Sequence, residues 1–242
     1  MSNKTKTVIV TGASQGIGAG IVNDFLDRGY NVVATARTAS TSTDLKDHSN
    51  LLRVDGDIAD AATAKKVTEA AVSKFGSIDA LIANAGIFIS KPFPDYTAEE
   101  YQKLMAVNVE GFLYIAQLAV KQMLVQKTGG SVTAITASLV KNPIAGFPVS
   151  VQMIAKGGLE VAVHSLALEY AKEGIRFNSV APGIVATPLT KDLPQDFLKT
   201  LSPMGVVTDI KDISDAVIYL TEARYVTGEV LHVDGGLHAG KW

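Results

Sequence analysis

The chain has 242 residues, a length that suits one large domain or two small ones. Its 47% hydrophobic and 19% charged residues are the composition of a globular protein, and its net charge of -2 leaves no basic footprint for nucleic acid. It has no cysteine, and its four histidines are not spaced as metal ligands. Disulfides, thiolate chemistry and a metal site are therefore not expected.

Short β-branched runs alternate along the chain with longer segments of helical periodicity. The runs are apolar throughout, which is typical of strands in a parallel sheet covered on both faces. Strands are predicted at 7–11, 31–36, 51–55, 79–84, 131–136, 175–181 and 229–233, and helices at 16–28, 60–75, 98–126 and 149–173. The alternation predicts one α/β domain over residues 1–242: a Rossmann fold with a seven-stranded, mostly parallel, doubly wound sheet and helices on both faces.

The segment 184–208, after the sixth strand, does not follow this alternation and contains three prolines. Ligands of open α/β sheets bind at the carboxyl ends of the strands. The segment is therefore predicted to be a substrate lid, with a plain surface loop as the alternative. Its apolar side chains, together with those of 139–149, indicate a small hydrophobic substrate.

The polar start of the chain and the short apolar run at 8–10 do not make a signal peptide. No stretch approaches roughly 18 uninterrupted apolar residues. The sequence therefore predicts no transmembrane helix and no membrane partner, and the cytoplasm is the expected location.

A glycine-rich loop lies between the first strand and the first helix. Gly12, Gly16 and Gly18 allow a tight turn, close approach of the backbone to a pyrophosphate, and close packing of the helix. The helix N-terminus adds unpaired N–H groups and the positive end of its dipole. The pattern predicts a dinucleotide site, lined in this loop by Gly12, Ser14, Gln15, Gly16, Ile17 and Gly18.

The second strand is followed by Arg37 and has no carboxylate at its end to bind the ribose hydroxyls of NAD. An arginine in this place is able to pair with the 2′-phosphate of NADP. NADP(H) is therefore the predicted cofactor, and NAD(H) is the less favoured alternative.

Further motifs follow the glycine loop in order along the chain. They are Asp57-Ile58 after strand three, Asn84-Ala85-Gly86 after strand four, Asn108 in the long helical segment, Ser138 after strand five, Lys156 on the next helix, and Pro182-Gly183 with Thr187 after strand six. With these motifs the chain resembles the short-chain dehydrogenase/reductase family over essentially its whole length.

The resemblance implies which residues contact the cofactor. Asp57 and Ile58 would contact the adenine. The residues that would line the rest of the cofactor are Asn84, Ala85, Gly86, Lys156, Pro182, Gly183 and Thr187.

The resemblance also implies catalytic roles and an assembly. Asn108 would hold a water in a proton relay, Ser138 would hydrogen-bond the substrate oxygen, and Lys156 would bind the nicotinamide ribose. Members of the family form dimers or tetramers, so a homo-oligomer is expected, and Trp242 is a candidate subunit contact.

One position departs from the family pattern. The family has a catalytic Tyr four residues before the Lys, on the same helix face. Here that position is Gln152, and no Tyr occurs between Ser138 and Glu169. A glutamine amide forms hydrogen bonds but does not transfer a proton at neutral pH. Loss of a general acid typically lowers the rate by about 10²–10⁴-fold.

Four interpretations of Gln152 remain open. First, the protein transfers hydride to or from a carbonyl or alcohol, and the proton comes from Lys156, from water near Asn108 or from another Tyr such as Tyr96. Second, it reduces an imine or an activated C=C bond, which needs no Tyr acid. Third, it is a non-catalytic dinucleotide-binding sensor or partner protein. Fourth, Gln152 is an engineered substitution in an ordinary reductase.

Overall fold

Seven strands form one sheet in the computed structural model, which describes residues 5–240. They are β1 (Thr7–Thr11), β2 (Asn31–Ala36), β3 (Leu51–Asp55), β4 (Ala80–Ala83), β5 (Gly130–Ile135), β6 (Ile175–Pro182) and β7 (Val230–Val233). Their order in the sheet is β3-β2-β1-β4-β5-β6-β7, and each neighbouring pair is parallel. The predicted sheet is confirmed. Its order reverses between β1 and β4, which opens a crevice at the carboxyl ends of these strands. Trp242 lies outside the described residues.

Helices cover both faces of the sheet, as predicted. They are α1 (Gly16–Asp27), α2 (Ala61–Phe75), α3 (Ala98–Met105), α4 (Gly111–Gln126), α5 (Ser150–Glu169), α6 (Gln195–Lys199) and α7 (Ile210–Glu222). α1 and α7 pack on one face, around buried residues such as Phe25 and Val217. α2, α4 and α5 pack on the other face, around Ile115 and Phe177.

The sequence analysis did not include α7, although its signals are present. Asp209 and Asp212 form a reciprocal capping box at its start. Ile213, Val217 and Leu220 follow at helical spacing and are fully buried. Because this segment was not predicted, the crossover between β6 and β7 lacked the helix that a parallel connection requires.

The long helical stretch Ala98–Gln126 is interrupted by a π-helical turn at Ala106–Glu110, which joins α3 to α4. By length and composition alone this stretch is apolar enough to cross a membrane, and 44% of its apolar window is buried inside the protein. Its inward face includes Phe112, Ile115 and Ala119, which belong to the core beneath the sheet. This is the packing of a helix that covers a sheet, so the stretch gives little support to a membrane span.

The predicted lid at 184–208 is tied to the body at both ends. The Ala186 amide donates to the Thr208 carbonyl at 2.9 Å, and the Thr208 amide donates to the Ile184 carbonyl at 2.9 Å. Between these ties the chain forms the short α6. Leu198 is buried beneath it and Phe197 is half exposed. The segment therefore has an anchored inner side and an apolar outer side; its role as a lid stays a prediction.

Candidate active site

The predicted site residues lie along one edge of the sheet, at the carboxyl ends of the strands. The glycine loop follows β1, residue 37 follows β2, residues 57–58 follow β3, residues 84–86 follow β4, residue 138 follows β5, and residues 182–187 end or follow β6. Residues 152 and 156 come from α5, and residue 108 from the π-helical turn. The fold thus brings to one edge residues that are far apart in sequence.

Two glycines of the loop, Gly12 and Gly18, leave no room for a side chain. Gly12 has φ +63, and a Cβ there would lie 2.7 Å from Ala85 Cα. A Cβ on Gly18 would overlap the carbonyl oxygen of Gly12. Gln15 precedes α1, and its side chain is exposed and does not cap the helix. The N–H groups of the first turn of α1 are therefore left for an anion.

Two further loop residues hold the loop in place. The Ser14 carbonyl accepts a hydrogen bond from the Ser42 hydroxyl at 2.6 Å. Ile17 packs against the core under α1. These contacts tie the loop to the chain after β2 and to the core.

Asn84 braces the crevice between β1 and β4. Its side-chain amide donates to the carbonyls of Thr11 and Gly12, at 2.9 and 3.1 Å. In return, the Thr11 hydroxyl oxygen accepts from the backbone amides of Asn84 and Ala85, at 3.1 and 3.0 Å. Asn84 and Ala85 therefore set the shape of the crevice.

Arg37 is exposed beyond β2 and forms no ion pair with any described residue. The carboxylate that ends the neighbouring strand, Asp55, accepts hydrogen bonds from the hydroxyl and the amide of Ser40. These bonds lower the pKa of Asp55 and engage both of its oxygens. The Arg37 guanidinium is therefore a cation without a carboxylate partner at this end of the crevice, among the residues described.

The pair after β3 divides between surface and core. Asp57 is exposed, and its carboxylate accepts from the Ala59 amide at 3.0 Å. Ile58 is buried against Gly111, where an added Cβ would lie 3.0 Å from its Cγ2 atom. If Ile58 contacts the adenine, the same side chain also packs in the core. The adenine contacts of Asp57 and Ile58 both stay predictions.

Asn108 is buried in the π-helical turn and binds the backbone of Ile87. Its Oδ1 accepts from the Ile87 amide at 3.0 Å, and its Nδ2 donates to the Ile87 carbonyl at 3.1 Å. The sequence analysis missed Ile87, because its part is played by main-chain atoms that no side-chain motif reports. Asn108 thus positions the chain that follows Gly86.

Gln152 is 2% exposed and reaches the same carbonyl. Its Nε2 donates to the Ile87 carbonyl oxygen at 3.0 Å. Its Oε1 is buried and accepts no hydrogen bond from the described residues. A buried acceptor without a donor costs about 1–3 kcal/mol, so it needs an explanation.

Lys156 lies one turn further along α5 and is also buried. Its Nζ donates to the Ile135 carbonyl at 2.7 Å and has no carboxylate partner within the described part of the chain. Burial lowers the pKa of Lys156 from 10.5 to about 8. A Cβ on the exposed Gly86 would lie 3.3 Å from this nitrogen, so Gly86 keeps the approach to Lys156 open.

Ser138 is fully buried, and its hydroxyl donates to the Ala181 carbonyl at 2.9 Å. Asp234 is the second acceptor beside this hydroxyl; its carboxylate also accepts from the His238 and Gly236 amides. Burial raises the pKa of Asp234, but the hydrogen bond with the His238 ring, whose Nδ1 lies 3.0 Å from the carboxylate, outweighs it together with the contacts above and holds the pKa below its ordinary value. The sequence analysis missed Asp234, whose signal was its place before two glycines after β7.

The residues that end β6 close the other side of the crevice. Pro182 is buried, and the Gly183 amide donates to the Val233 carbonyl at 3.0 Å. Thr187 faces the glycine loop, since a Cβ on Gly16 would lie 3.6 Å from its Cβ atom. The start of the lid therefore lies against the phosphate-binding loop.

This arrangement fits a dinucleotide in three respects. A cradle of backbone around Gly12 and Gly18 would be filled by any side chain. The first turn of α1 has open N–H groups for a pyrophosphate. The buried Lys156 ammonium has one protein acceptor and two further N–H groups for ribose hydroxyls. No group of three or more His, Cys, Asp or Glu residues among those described is placed to hold a metal ion.

Comparison with known proteins agrees with the geometry. A family model described as enoyl-(acyl carrier protein) reductase matches residues 12–238. A 3alpha-hydroxysteroid dehydrogenase of Mediterraneibacter gnavus is 35% identical over 251 residues, which cover 97% of this chain and 98% of that protein. An NADP-dependent (R)-specific alcohol dehydrogenase of Lentilactobacillus kefiri is 32% identical over 248 residues, 98% of each chain. The structure of a short-chain type dehydrogenase/reductase from Mycobacterium marinum matches with a TM-score of 0.92 at 25% identity, over 97% of this chain and 96% of that one.

Proposed function

Because this chain belongs to the short-chain dehydrogenase/reductase family of oxidoreductases, we propose that it transfers a hydride to or from a small hydrophobic carbonyl or alcohol with NADP(H) as cofactor. The observation that carries this proposal is Lys156, a buried ammonium with one protein acceptor, beside the open approach at Gly86. When bound, NADP(H) supplies or takes up the hydride. The chain's own residues bind, orient and move the proton.

Lys156 is our candidate for the proton donor. With a pKa of about 8, the amine is present in both protonation states near neutral pH, as an efficient general acid or base requires. Tyr96 is a weaker candidate. Its hydroxyl donates to the Ile89 carbonyl at 2.7 Å, and burial raises its pKa. Water held near Asn108 would serve as the route by which Lys156 regains its proton.

Three parts of the protein would each bind a different part of NADP(H). The glycine loop and the first turn of α1 would hold the pyrophosphate, and Lys156 would hold the ribose beside the nicotinamide. Arg37, which has no carboxylate partner among the described residues, would pair with the 2′-phosphate. The NADP-dependent relative supports this preference over NAD(H).

Imine reduction is the second candidate, and Gln152 favours it. An iminium cation already carries the positive charge that a carbonyl gains only by protonation, so it takes a hydride without an acid. The Gln152 amide is not an acid, and one of its two Nε2 hydrogens is engaged with the Ile87 carbonyl. An activated C=C bond, protonated by solvent, is the related alternative. A non-catalytic sensor role remains the third.

One assay separates these functions. The protein is mixed with NADPH and a panel of ketones, cyclic imines and activated alkenes, and NADPH absorbance is followed. Turnover of ketones supports the first candidate, and turnover of imines alone supports the second. NADPH binding without turnover of any class contradicts both and leaves the sensor.

Gln152→Tyr tests the missing acid in the same assay. If the proton is limiting, this variant gains ketone activity, up to about 10²-fold. A flat or lower ketone activity, with NADPH binding unchanged, would show that the site does not depend on an acid at this position.

The remaining predictions concern the domain organisation, the location and the oligomeric state. We propose a single domain over residues 1–242 with 184–208 as its lid, in the cytoplasm. α4 and α5 carry exposed apolar side chains, including Val161 at 69% and Leu168 at 83% exposure. Such faces indicate a homo-oligomer of dimeric or tetrameric form. Light scattering on the purified protein measures its mass directly.

A further inference from the structure

Hydrogen bonds on both sides of Phe88 hold the backbone of its loop. The Ile87 amide and carbonyl form three hydrogen bonds with buried side chains of the π-helical turn and of α5. The Ile89 carbonyl accepts from the Tyr96 hydroxyl at 2.7 Å. The direction in which the Phe88 side chain leaves the backbone is therefore set by its neighbours.

The Phe88 ring is stacked on one face and open to solvent elsewhere. It lies 22° from parallel to the Phe147 ring, with the ring centres 6.1 Å apart. Phe147 packs in turn against a buried apolar cluster around Leu139. The Ser90 hydroxyl donates to the Pro148 carbonyl at 3.0 Å and so ties the two loops together. Because Phe147 covers one face, the exposed surface of Phe88, 36% of the residue, lies mainly on its other face and its edge.

This exposed ring lies near the candidate reaction centre. Phe88 is two residues from Gly86, so their Cα atoms are at most about 7 Å apart. Gly86 in turn keeps the approach to Lys156 open, because a Cβ on it would lie 3.3 Å from the lysine nitrogen. A flat group placed on Phe88 therefore has its adjoining atoms within reach of the opening at Gly86.

We propose that Phe88 is a stacking platform for the substrate, and that the substrate carries a planar aromatic ring one or two bonds from the carbon that exchanges the hydride. This inference rests on the proposed hydride transfer and narrows its substrate class from hydrophobic to aromatic. The substrate ring forms the third layer of a stack whose inner layers are Phe88 and Phe147. Its carbonyl or alcohol group then lies towards Gly86 and Lys156.

A saturated ring of the same size gains less on this surface. It buries a similar apolar area, but it is puckered and lacks the negative face and positive edge that orient one aromatic ring on another. Aromatic pairs gain about 3–10-fold in binding beyond the burial of area. Because the loop backbone and the Phe147 ring are already fixed, little further ordering of the protein opposes this gain.

The test compares two ketones of the same carbon skeleton, phenylacetone and cyclohexylacetone. In both, a CH₂ group separates the ring from the carbonyl, so conjugation does not alter the reactivity of the carbonyl. The quantity measured is the ratio of kcat/KM for the phenyl ketone to that for the cyclohexyl ketone. Comparing this ratio between wild type and variant cancels the difference in hydrophobicity between the two ketones.

Phe88→Leu keeps an apolar side chain but removes the flat ring. We expect it to lower the ratio by about 3–10-fold, whereas Phe88→Tyr, which keeps the ring, should leave the ratio unchanged. Phe93→Leu is the matched control, because Phe93 lies in the same loop, is 69% exposed and stacks on no other described ring. It should not change the ratio. Thermal unfolding and NADPH binding, measured for each variant, show that the fold is kept.

A binding measurement separates this inference from the function on which it rests. Both ketones are titrated into the protein saturated with NADP⁺, which cannot reduce a ketone, and the ratio of their dissociation constants is determined for each variant. An unchanged ratio in Phe88→Leu, or an equal change in Phe93→Leu, would overturn the platform and leave hydride transfer in place. Absence of binding by either ketone would overturn it as well. A preference for the phenyl ketone that depends on Phe88, without turnover of either ketone, would support the platform and contradict the proposed function.

Discussion

The two halves of the site differ in how their polar groups are satisfied. In the cofactor half, meaning the glycine loop with Asn84, the side-chain groups that brace the loop are paired: the Asn84 amide and the Thr11 hydroxyl make four hydrogen bonds between β1 and β4. The substrate half, meaning Gln152 and Lys156 on α5, is not fully paired. Lys156 has one acceptor and Gln152 Oε1 has no donor among the described residues.

The cofactor half is defined by the shape of its backbone, and the substrate half by the chemistry of its side chains. In the cofactor half, backbone geometry makes the site, so the side chains there serve to hold the backbone. In the substrate half, one buried polar atom, Gln152 Oε1, remains unpaired at a cost of about 1–3 kcal/mol. Ordered water or a bound ligand generally completes such groups in folded proteins. The variants below test whether each half behaves in this way.

The largest effect is expected for Lys156→Met, in the substrate half. Turnover of a carbonyl substrate should fall by about 10²–10⁴-fold, because the proton donor is lost. The free energy of unfolding at pH 7 should not fall, and should rise by up to about 3 kcal/mol, because a buried ammonium with a pKa of about 8 is removed. Initial rates and urea denaturation measure the two quantities.

The difference in unfolding free energy between the wild type and Lys156→Met should depend on pH. Below pH 8 the lysine is charged in both states, and burial destabilises the folded one. Between about pH 8 and 10.5 the unfolded chain binds more protons than the folded chain, so wild-type stability rises with pH and approaches that of the variant. Lys65→Met, at an exposed position on α2, is the control and should show no such convergence. A stability gap that stays constant up to pH 10.5 would contradict the buried charge.

The second largest effect is expected for Gly18→Ala, in the cofactor half. The added Cβ would overlap the Gly12 carbonyl oxygen and crowd Asn84 Nδ2, so the loop and α1 must separate. NADPH binding should weaken by at least about 100-fold, and the free energy of unfolding should fall by about 1–3 kcal/mol. Isothermal titration and denaturation measure them.

Gly158→Ala is the matched control for that substitution. Gly158 also lies in a helix, and its Cβ would meet nothing within 4 Å. It should stabilise the protein by roughly 0.5–1 kcal/mol and leave NADPH binding unchanged. If both variants bind NADPH equally well, the glycine loop is not a cradle for the cofactor.

The same contrast explains what the sequence predicted. The cofactor half depends on glycines and on strand ends, and both leave a local pattern: the loop at Gly12–Gly18 and the strand-end residues lie where the pattern placed them. The parallel sheet was predictable for the same reason, because strands buried on both faces are apolar at every position.

The substrate half could be predicted only in part. The family resemblance identified Gln152 and Lys156 as a pair, and their helical spacing puts both on one face. It did not identify Ile87, whose carbonyl and amide orient two side chains through long-range contacts of the main chain. It also missed α7, although an acidic capping box and apolar residues at helical spacing mark this helix. Which amide atom lacks a partner is a property of the fold alone.

Arg37→Ala is expected to have the smallest effect. It removes a charged side chain at the end of the cofactor half that has no charged partner among the described residues. Arg37 is exposed and has no carboxylate partner among the residues described, so it is free to pair with a negative charge on the ligand. Removing it should weaken NADPH by about 10–100-fold, the value of a charge-assisted pair, and NADH by less than about threefold. Arg224→Ala makes the same charge change near the amino end of β7, away from the site, and should alter neither. Equal loss of both cofactors in Arg37→Ala would mean that the guanidinium acts on the shared part of the dinucleotide, and the expected preference for NADP would fail with it.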